Sequence, residues 1–159
     1  MPRMKGSPKI RIGWVGHLVI AGVLLPTLWG CSAPPQADVQ VIAHGEEVDL
    51  AAHLASGMYT VFDFYAVWCP PCRVLSPALE RLAASHPDTL AIRKVDIVDW
   101  TQPVAEQYGV ESLPHLLLYD REGTLMASGE QVYATLGELF GESAREVMEV
   151  SGIEAALAP

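Results

Sequence analysis

Five short stretches of the chain have the pattern of β-strands, because apolar runs or apolar–polar alternation lie between turn-forming residues. The central one, Met58 to Val67, is mostly apolar and contains a single carboxylate, Asp63. The other four predicted strands are 39–43, 90–95, 115–119 and 124–127. The last two flank Asp120-Arg121-Glu122-Gly123, a turn sequence, and should therefore form a β-hairpin.

Five further stretches have apolar residues at helical spacing. They are 46–56, 73–85, 101–108, 132–140 and 143–150. Near the last two stand the capping-box patterns Thr135-x-x-Glu138 and Ser143-x-x-Glu146. The order βαβαβαββα predicts an α/β fold with a central mixed β-sheet flanked by helices on both faces. No role is predicted for the segment 131–159.

The first 30 residues have the pattern of a secretory signal. Four basic residues precede Ile12–Trp29, a run of 18 residues without Asp, Glu, Lys or Arg. The run ends in Leu28-Trp29-Gly30-Cys31, which resembles the lipobox of bacterial lipoproteins and implies lipidation at Cys31. One alternative is an uncleaved membrane anchor, since 18 apolar residues just span a bilayer. A buried core helix is the other.

The length of 159 residues suits one domain with a real core. We divide the chain into a signal segment 1–30, a proline-containing tether 31–38, a domain 39–151 and a tail 152–159. Removing the signal segment takes four of ten basic residues and no acidic one, so the net charge falls from −9 to −13. So acidic a domain is a poor candidate for binding nucleic acid or anionic lipid.

The candidate chemistry is in Cys69-Pro70-Pro71-Cys72, between the central strand and a predicted helix. A thiol at a helix N-terminus has a depressed pKa, so we expect Cys69 to be the exposed, reactive thiolate and Cys72 to resolve its mixed disulfides. A half zinc site would need a second ligand pair, and the only other cysteine is Cys31. A purely structural disulfide would need neither the flanking Trp68 nor the strand-to-helix placement.

Two motifs resemble the thioredoxin family, over roughly residues 40 to 150. The segment from Asp63 to Arg73 is similar to its active-site signature, and Tyr108 to Pro114 is similar to the loop that ends in its cis-proline. The resemblance implies a thioredoxin-like fold, and Pro77 fits its kinked active-site helix. It supports a redox disulfide between Cys69 and Cys72.

The same resemblance implies that Asp63 is a buried acid beneath the cysteine pair, with a raised pKa, that accepts the proton of Cys72 through water. The alternative is a carboxylate on a solvated strand face. Lys94 matches a family lysine near that acid, although a lysine at a strand end is as often simply exposed.

For substrate binding, the resemblance implies a cis peptide before Pro114 that places the backbone of Leu113 beside Cys69, where it can pair with an extended chain. Trp68 should form the apolar rim of the substrate groove. His115 stands where the family commonly has threonine; it is a candidate modulator of the cysteine pKa values, but a packed strand histidine is favoured.

The predicted function is a tethered, extracytoplasmic thiol–disulfide oxidoreductase of the bacterial cell envelope, acting as a reductase. Asp63 and the uncharged Pro70-Pro71 pair both disfavour a long-lived thiolate. The expected partners are protein disulfides, a dithiol donor such as a membrane thiol–disulfide transporter, and the membrane; we expect a monomer with no cofactor and no metal.

Three alternatives stay open. One is a dedicated reductant for cytochrome c maturation or other specific clients, although 95–108 is too short for the insertion of such relatives. The second is a metal- or haem-handling protein, although Arg73 stands where Cys-x-x-Cys-His would need histidine. The third is a lipoprotein that keeps the fold for binding only.

Overall fold

The computed structural model describes residues 36–150 of the chain. The predicted signal segment, Cys31, most of the tether and the tail 152–159 lie outside this range. Between residues 36 and 150 no helix is both long enough and apolar enough to cross a membrane.

A five-stranded mixed sheet forms the centre of the domain. Its strands are β1 (Asp38–His44), β2 (Tyr59–Tyr65), β3 (Leu90–Asp96), β4 (His115–Tyr119) and β5 (Leu125–Ser128). The spatial order is β1-β3-β2-β4-β5. β1 and β2 run parallel to β3, whereas β4 is antiparallel to β2 and β5. The predicted mixed sheet is therefore confirmed, with the strand before the cysteines at its centre.

Helices cover both faces of the sheet. They are α1 (Cys72–Ser85), α2 (Pro103–Gln107), α3 (Gln131–Phe140), α4 (Glu142–Val150) and a 3-10 turn at Leu50–His53. Alternation along β2 separates two apolar cores. Val61 packs with Leu75 and Leu79 of α1, whereas Phe62 and Phe64 belong to the cluster on the opposite face. Asp63 therefore faces α1.

The predicted helix over 46–56 is wrong, because only the 3-10 turn at Leu50–His53 forms. Two side chains from a distant part of the chain bind the backbone of Val48. Its N–H donates to Gln107 Oε1 at 3.0 Å, and its carbonyl accepts a hydrogen bond from the Tyr108 hydroxyl at 2.5 Å. At the other end Leu54 is extended, with ψ of 135°. Long-range side-chain contacts thus replace helical hydrogen bonds before the turn.

The two C-terminal helices form as predicted, but their predicted caps are wrong. Thr135 lies inside α3, where its hydroxyl donates to the Gln131 carbonyl at 3.0 Å. Ser143 is the second residue of α4, which begins directly after Gly141. Gly141 has φ of +57°, a conformation that glycine adopts without strain, and it separates the two helices.

Candidate active site

The two cysteines form a disulfide where β2 leads into α1. Cys69 and Cys72 have Cα atoms 5.3 Å apart and are joined through their sulfurs. The first helical hydrogen bond runs from the Arg73 N–H to the Cys69 carbonyl at 3.3 Å. The Cys72 N–H points back at Cys69 Sγ, at 3.2 Å. The sulfur of Cys69 therefore receives an N–H from the helix N-terminus, as its predicted position requires.

The predicted exposure of Cys69 concerns its reduced thiolate and stays a prediction, whereas in this disulfide form both cysteines are buried. Cys69 is 2% exposed and Cys72 is 1% exposed, and both belong to the apolar cluster on the α2 face of the sheet. The exposed residues are their neighbours Val67, Trp68, Pro70 and Pro71. The side chains around the disulfide, rather than its sulfurs, therefore form the exposed surface at this point of the fold.

Trp68 is held at this surface by the loop that follows β3. Its indole N–H donates to the Val98 carbonyl at 2.5 Å, and its ring lies 5.7 Å from that of Trp100. Val98 has φ of +57°, which is costly for a β-branched residue. Asp96 supports the loop, because its carboxylate accepts the Val98 N–H at 2.8 Å. The other oxygen of Asp96 lies 2.8 Å from His44 Nδ1.

The predicted cis-proline loop is present. The peptide bond between Leu113 and Pro114 is cis, and both residues are half-buried immediately before β4. His115 starts β4 with its ring 5.7 Å from that of Phe64, edge to face. Burial lowers the pKa of His115. These contacts fit the packed strand histidine.

Asp63 is buried on the side of the sheet that faces α1. It is 0% exposed, and its Oδ2 accepts the Ser76 hydroxyl at 2.5 Å. Its Oδ1 has no hydrogen-bond partner among the described residues. Burial raises the pKa of Asp63 from 3.8 to about 6, although the Ser76 hydrogen bond and the Lys94 charge both act to lower it. The solvated alternative for Asp63 is therefore excluded.

Lys94 lies beside Asp63 but pairs with another carboxylate. The two residues are register partners on β2 and β3. The Lys94 ammonium contacts Glu80 Oε1 at 2.7 Å and lies 4.8 Å from the centre of the Tyr65 ring. Lys94 thus adds positive charge near the buried acid, while Glu80 offsets part of it.

A cleft of about 270 Å³ opens beside the cysteines. It is lined by Tyr65, Ala66, Val67, Cys72, Arg73, Ser76, Pro77 and Lys94. Cys72, the serine bonded to Asp63 and the lysine therefore share one solvent-accessible space. In the part of the chain that the structure describes, no group of three or more His, Cys, Asp or Glu side chains could hold a metal ion.

Sequence reasoning missed Ser76, Val98 and Glu80. The signal for Ser76 was present, because it stands four residues after Cys72 on a predicted helix and so lies on the same face. No local sequence pattern predicts that Val98 has a positive φ or that Glu80 pairs with Lys94.

A Cys-x-x-Cys disulfide at the junction of a central strand and a helix, with a buried acid bonded to a serine one turn along that helix, is the arrangement of a thiol–disulfide oxidoreductase. The thioredoxin family model matches residues 43–138, so the chain belongs to the thioredoxin family. It is 46% identical over 81 residues to thioredoxin of Chlamydia trachomatis serovar D, covering 51% of this chain and 74% of that protein.

Two more proteins extend the comparison. Thioredoxin of Bacillus subtilis is 34% identical over 107 residues, covering 67% of this chain and 94% of that protein. The crystal structure of Malassezia sympodialis thioredoxin aligns with a TM-score of 0.49 at 22% identity, over 65% of this chain and 92% of that one.

Proposed function

We propose that this protein is a membrane-tethered, extracytoplasmic disulfide reductase that acts on protein disulfides through Cys69 and Cys72. The observation that carries the proposal is the arrangement of the pair: a helix-terminal N–H points at the Cys69 sulfur, and Cys72 lines a cleft shared with Ser76, the partner of a buried acid.

The reaction consists of two disulfide exchanges. The Cys69 thiolate attacks a substrate disulfide, forms a mixed disulfide and releases the first substrate sulfur as a thiolate. Cys72 then loses its proton to Asp63, and its thiolate attacks the Cys69 sulfur. The bond between Cys69 and the substrate breaks, the second substrate thiolate leaves, and the Cys69–Cys72 disulfide forms. An external dithiol supplies the two electrons that restore the reduced pair.

The pKa of Asp63 suits the role of proton acceptor. A general base works best when its pKa lies near the working pH, and burial brings that of Asp63 to about 6. An exposed carboxylate, with a pKa near 4, would be a much weaker base toward a thiol. Above about pH 6 the negative charge of Asp63 disfavours a thiolate at Cys72 in the reduced state. Because a strongly stabilised thiolate would make the pair an oxidant, this charge favours a reducing couple.

Substrate binding uses the surface around the disulfide. Trp68 and Trp100, each nearly half exposed, offer adjacent apolar rings to residues that flank a substrate cysteine. The backbone of Leu113, before the cis-proline, pairs with the extended substrate chain. These contacts select which substrate disulfides reach Cys69.

Trapping of the mixed disulfide tests this mechanism. Cys72→Ser keeps the first exchange and removes the second, so the reduced variant should accumulate a covalent adduct with a disulfide-containing substrate such as insulin, linked through Cys69. Mass mapping identifies the link, and Cys69→Ser is the matched control that should form no adduct. Adducts of equal yield in both variants would contradict the assignment of Cys69 as nucleophile.

Membrane tethering needs a separate test. Lipidation at Cys31 predicts that Cys31→Ala either loses membrane retention or stalls as the unprocessed precursor. Fractionation and the mass of the N-terminal peptide measure both. A variant that keeps the size and the membrane retention of the wild type would favour an uncleaved anchor instead.

A further inference from the structure

Ser76 lies between the cleft and the buried acid. It stands one helical turn after Cys72, is 5% exposed, and lines the same cleft as that cysteine. Its hydroxyl donates to Asp63 Oδ2 at 2.5 Å. A hydroxyl on a buried helix face needs a partner, and here it takes the carboxylate rather than the carbonyl of the preceding turn.

This hydrogen bond fixes the two oxygens of Asp63 in different roles. Oδ2 is occupied by Ser76, whereas Oδ1 has no hydrogen-bond partner among the described residues. The unoccupied oxygen has both lone pairs free to receive a proton. A donor on Oδ2 also favours the ionised carboxylate over the neutral acid.

The other groups facing Asp63 do not substitute for this donor. On β3, Lys94 is bonded to Glu80 of α1. On α3, burial raises the pKa of Tyr133 to about 12, so it keeps its proton, but its hydroxyl makes no hydrogen bond to Asp63, whose Oδ1 has no partner among the described residues and whose Oδ2 is taken by Ser76. Tyr65 on β2 also keeps its proton, since burial and nearby carboxylates raise its pKa, and its hydroxyl likewise makes no hydrogen bond to Asp63. On β4, Asp63 pairs in register with the apolar Leu116.

We propose that Ser76 is the positioning residue of the proton acceptor: its hydroxyl holds Oδ2 of Asp63, leaves Oδ1 to accept the Cys72 proton, and keeps the carboxylate ionised near neutral pH. This inference rests on the proposed role of Asp63. In the resolving step the proton passes from the Cys72 sulfur to Oδ1, and the Ser76 proton stays on its own oxygen.

The test compares Ser76→Ala with Ser76→Thr in the full chain. Alanine removes the donor with little change in volume, and threonine keeps the hydroxyl. Carbon-13 NMR of the oxidised protein follows the Asp63 carboxyl directly. We expect its pKa to rise by about one unit or more in Ser76→Ala, because a hydrogen bond to a charged group is lost, and to return toward the wild-type value in Ser76→Thr.

Activity gives the second readout. A higher pKa of Asp63 should move the acidic limb of the pH–rate profile for insulin reduction to higher pH, so that Ser76→Ala is about two- to fourfold slower at pH 7 and nearly normal at pH 9. A merely structural role of Ser76 would lower the rate equally at every pH, and that result would overturn the proposal. An unchanged Asp63 titration in Ser76→Ala would also overturn it.

The Asp63→Asn variant distinguishes a failure of the role of Ser76 from a failure of the proposed role of Asp63 as proton acceptor. If the asparagine variant keeps the wild-type pH profile, Asp63 is not the proton acceptor and the proposed mechanism fails. If Asp63→Asn alters the profile but Ser76→Ala does not, only the role of Ser76 fails. In the Asp63→Asn background, adding Ser76→Ala should leave the pH dependence unchanged.

Discussion

Replacing Asp63 by asparagine should stabilise the fold at neutral pH, although the side chain is fully buried. The pKa of Asp63 is about 6 in the folded protein, against 3.8 as the ordinary value in the unfolded chain. The folded state therefore holds its proton more tightly than the unfolded state does. Above pH 6 the folded protein must bury an ionised carboxylate, and this costs stability that an uncharged amide does not.

The magnitude follows from the difference between the two pKa values. About two units, at 1.36 kcal/mol each, make ionised Asp63 destabilising by about 3 kcal/mol at pH 7. The penalty shrinks as the pH falls through 6 and is gone below 3.8. The asparagine amide adds a pH-independent cost, because its buried N–H groups need acceptors. That cost is the same at every pH. It therefore cancels when the free energy of unfolding of Asp63→Asn relative to the wild type is compared between pH 4 and pH 8, and a change of about 2.5 kcal/mol remains.

Urea unfolding of the oxidised protein measures this difference. The free energy of unfolding of Asp63→Asn minus that of the wild type should increase by about 2.5 kcal/mol from pH 4 to pH 8. Asp88→Asn is the matched control on an exposed carboxyl and should differ from the wild type by less than about 0.5 kcal/mol at both pH values. A difference for Asp63→Asn that stays constant with pH would refute the reasoning.

Two further predictions concern other parts of the domain. Asp38→Ala should lower the free energy of unfolding by about 2–3 kcal/mol, because it leaves the buried Arg93 guanidinium without the carboxylate that it contacts at 2.9 and 2.8 Å. Urea unfolding measures this loss, and an effect below about 0.5 kcal/mol would contradict the prediction. Val98→Asn should raise the free energy of unfolding by about 0.5–1 kcal/mol, because asparagine tolerates positive φ better than valine does, and a loss of stability would show that the valine side chain matters more than the strain.

The strands and the position of the disulfide could be predicted because they depend on local patterns. Apolar runs marked the strands, and the alternation around Asp63 placed it opposite Phe62 and Phe64, as the two cores show. The failed helix at 46–56 has apolar residues at suitable spacing, but Gln107 and Tyr108 hold the backbone of Val48. Those contacts join residues about 60 positions apart, so the sequence around 46–56 does not reveal them.

Within the site, the residue types were predictable and their environments less so. The Cys-x-x-Cys spacing places Cys69 at the helix terminus, but its burial depends on apolar residues from distant parts of the chain. The importance of Ser76 depends on α1 packing directly against Asp63 of β2, a tertiary contact. The family resemblance implied Lys94 near the acid, where the register of β2 and β3 puts it, whereas its bond to Glu80 required the structure.

The midpoint potential of the Cys69–Cys72 couple tests the central claim of a disulfide reductase most directly. The full-length protein is equilibrated with thiol–disulfide buffers at pH 7, and the reduced fraction is read from the mass added by alkylation. A reductase predicts a value near the roughly −270 mV of thioredoxin itself. A value near the roughly −120 mV of strong periplasmic oxidants would contradict the reductase function, because the couple would then donate disulfides to its substrates.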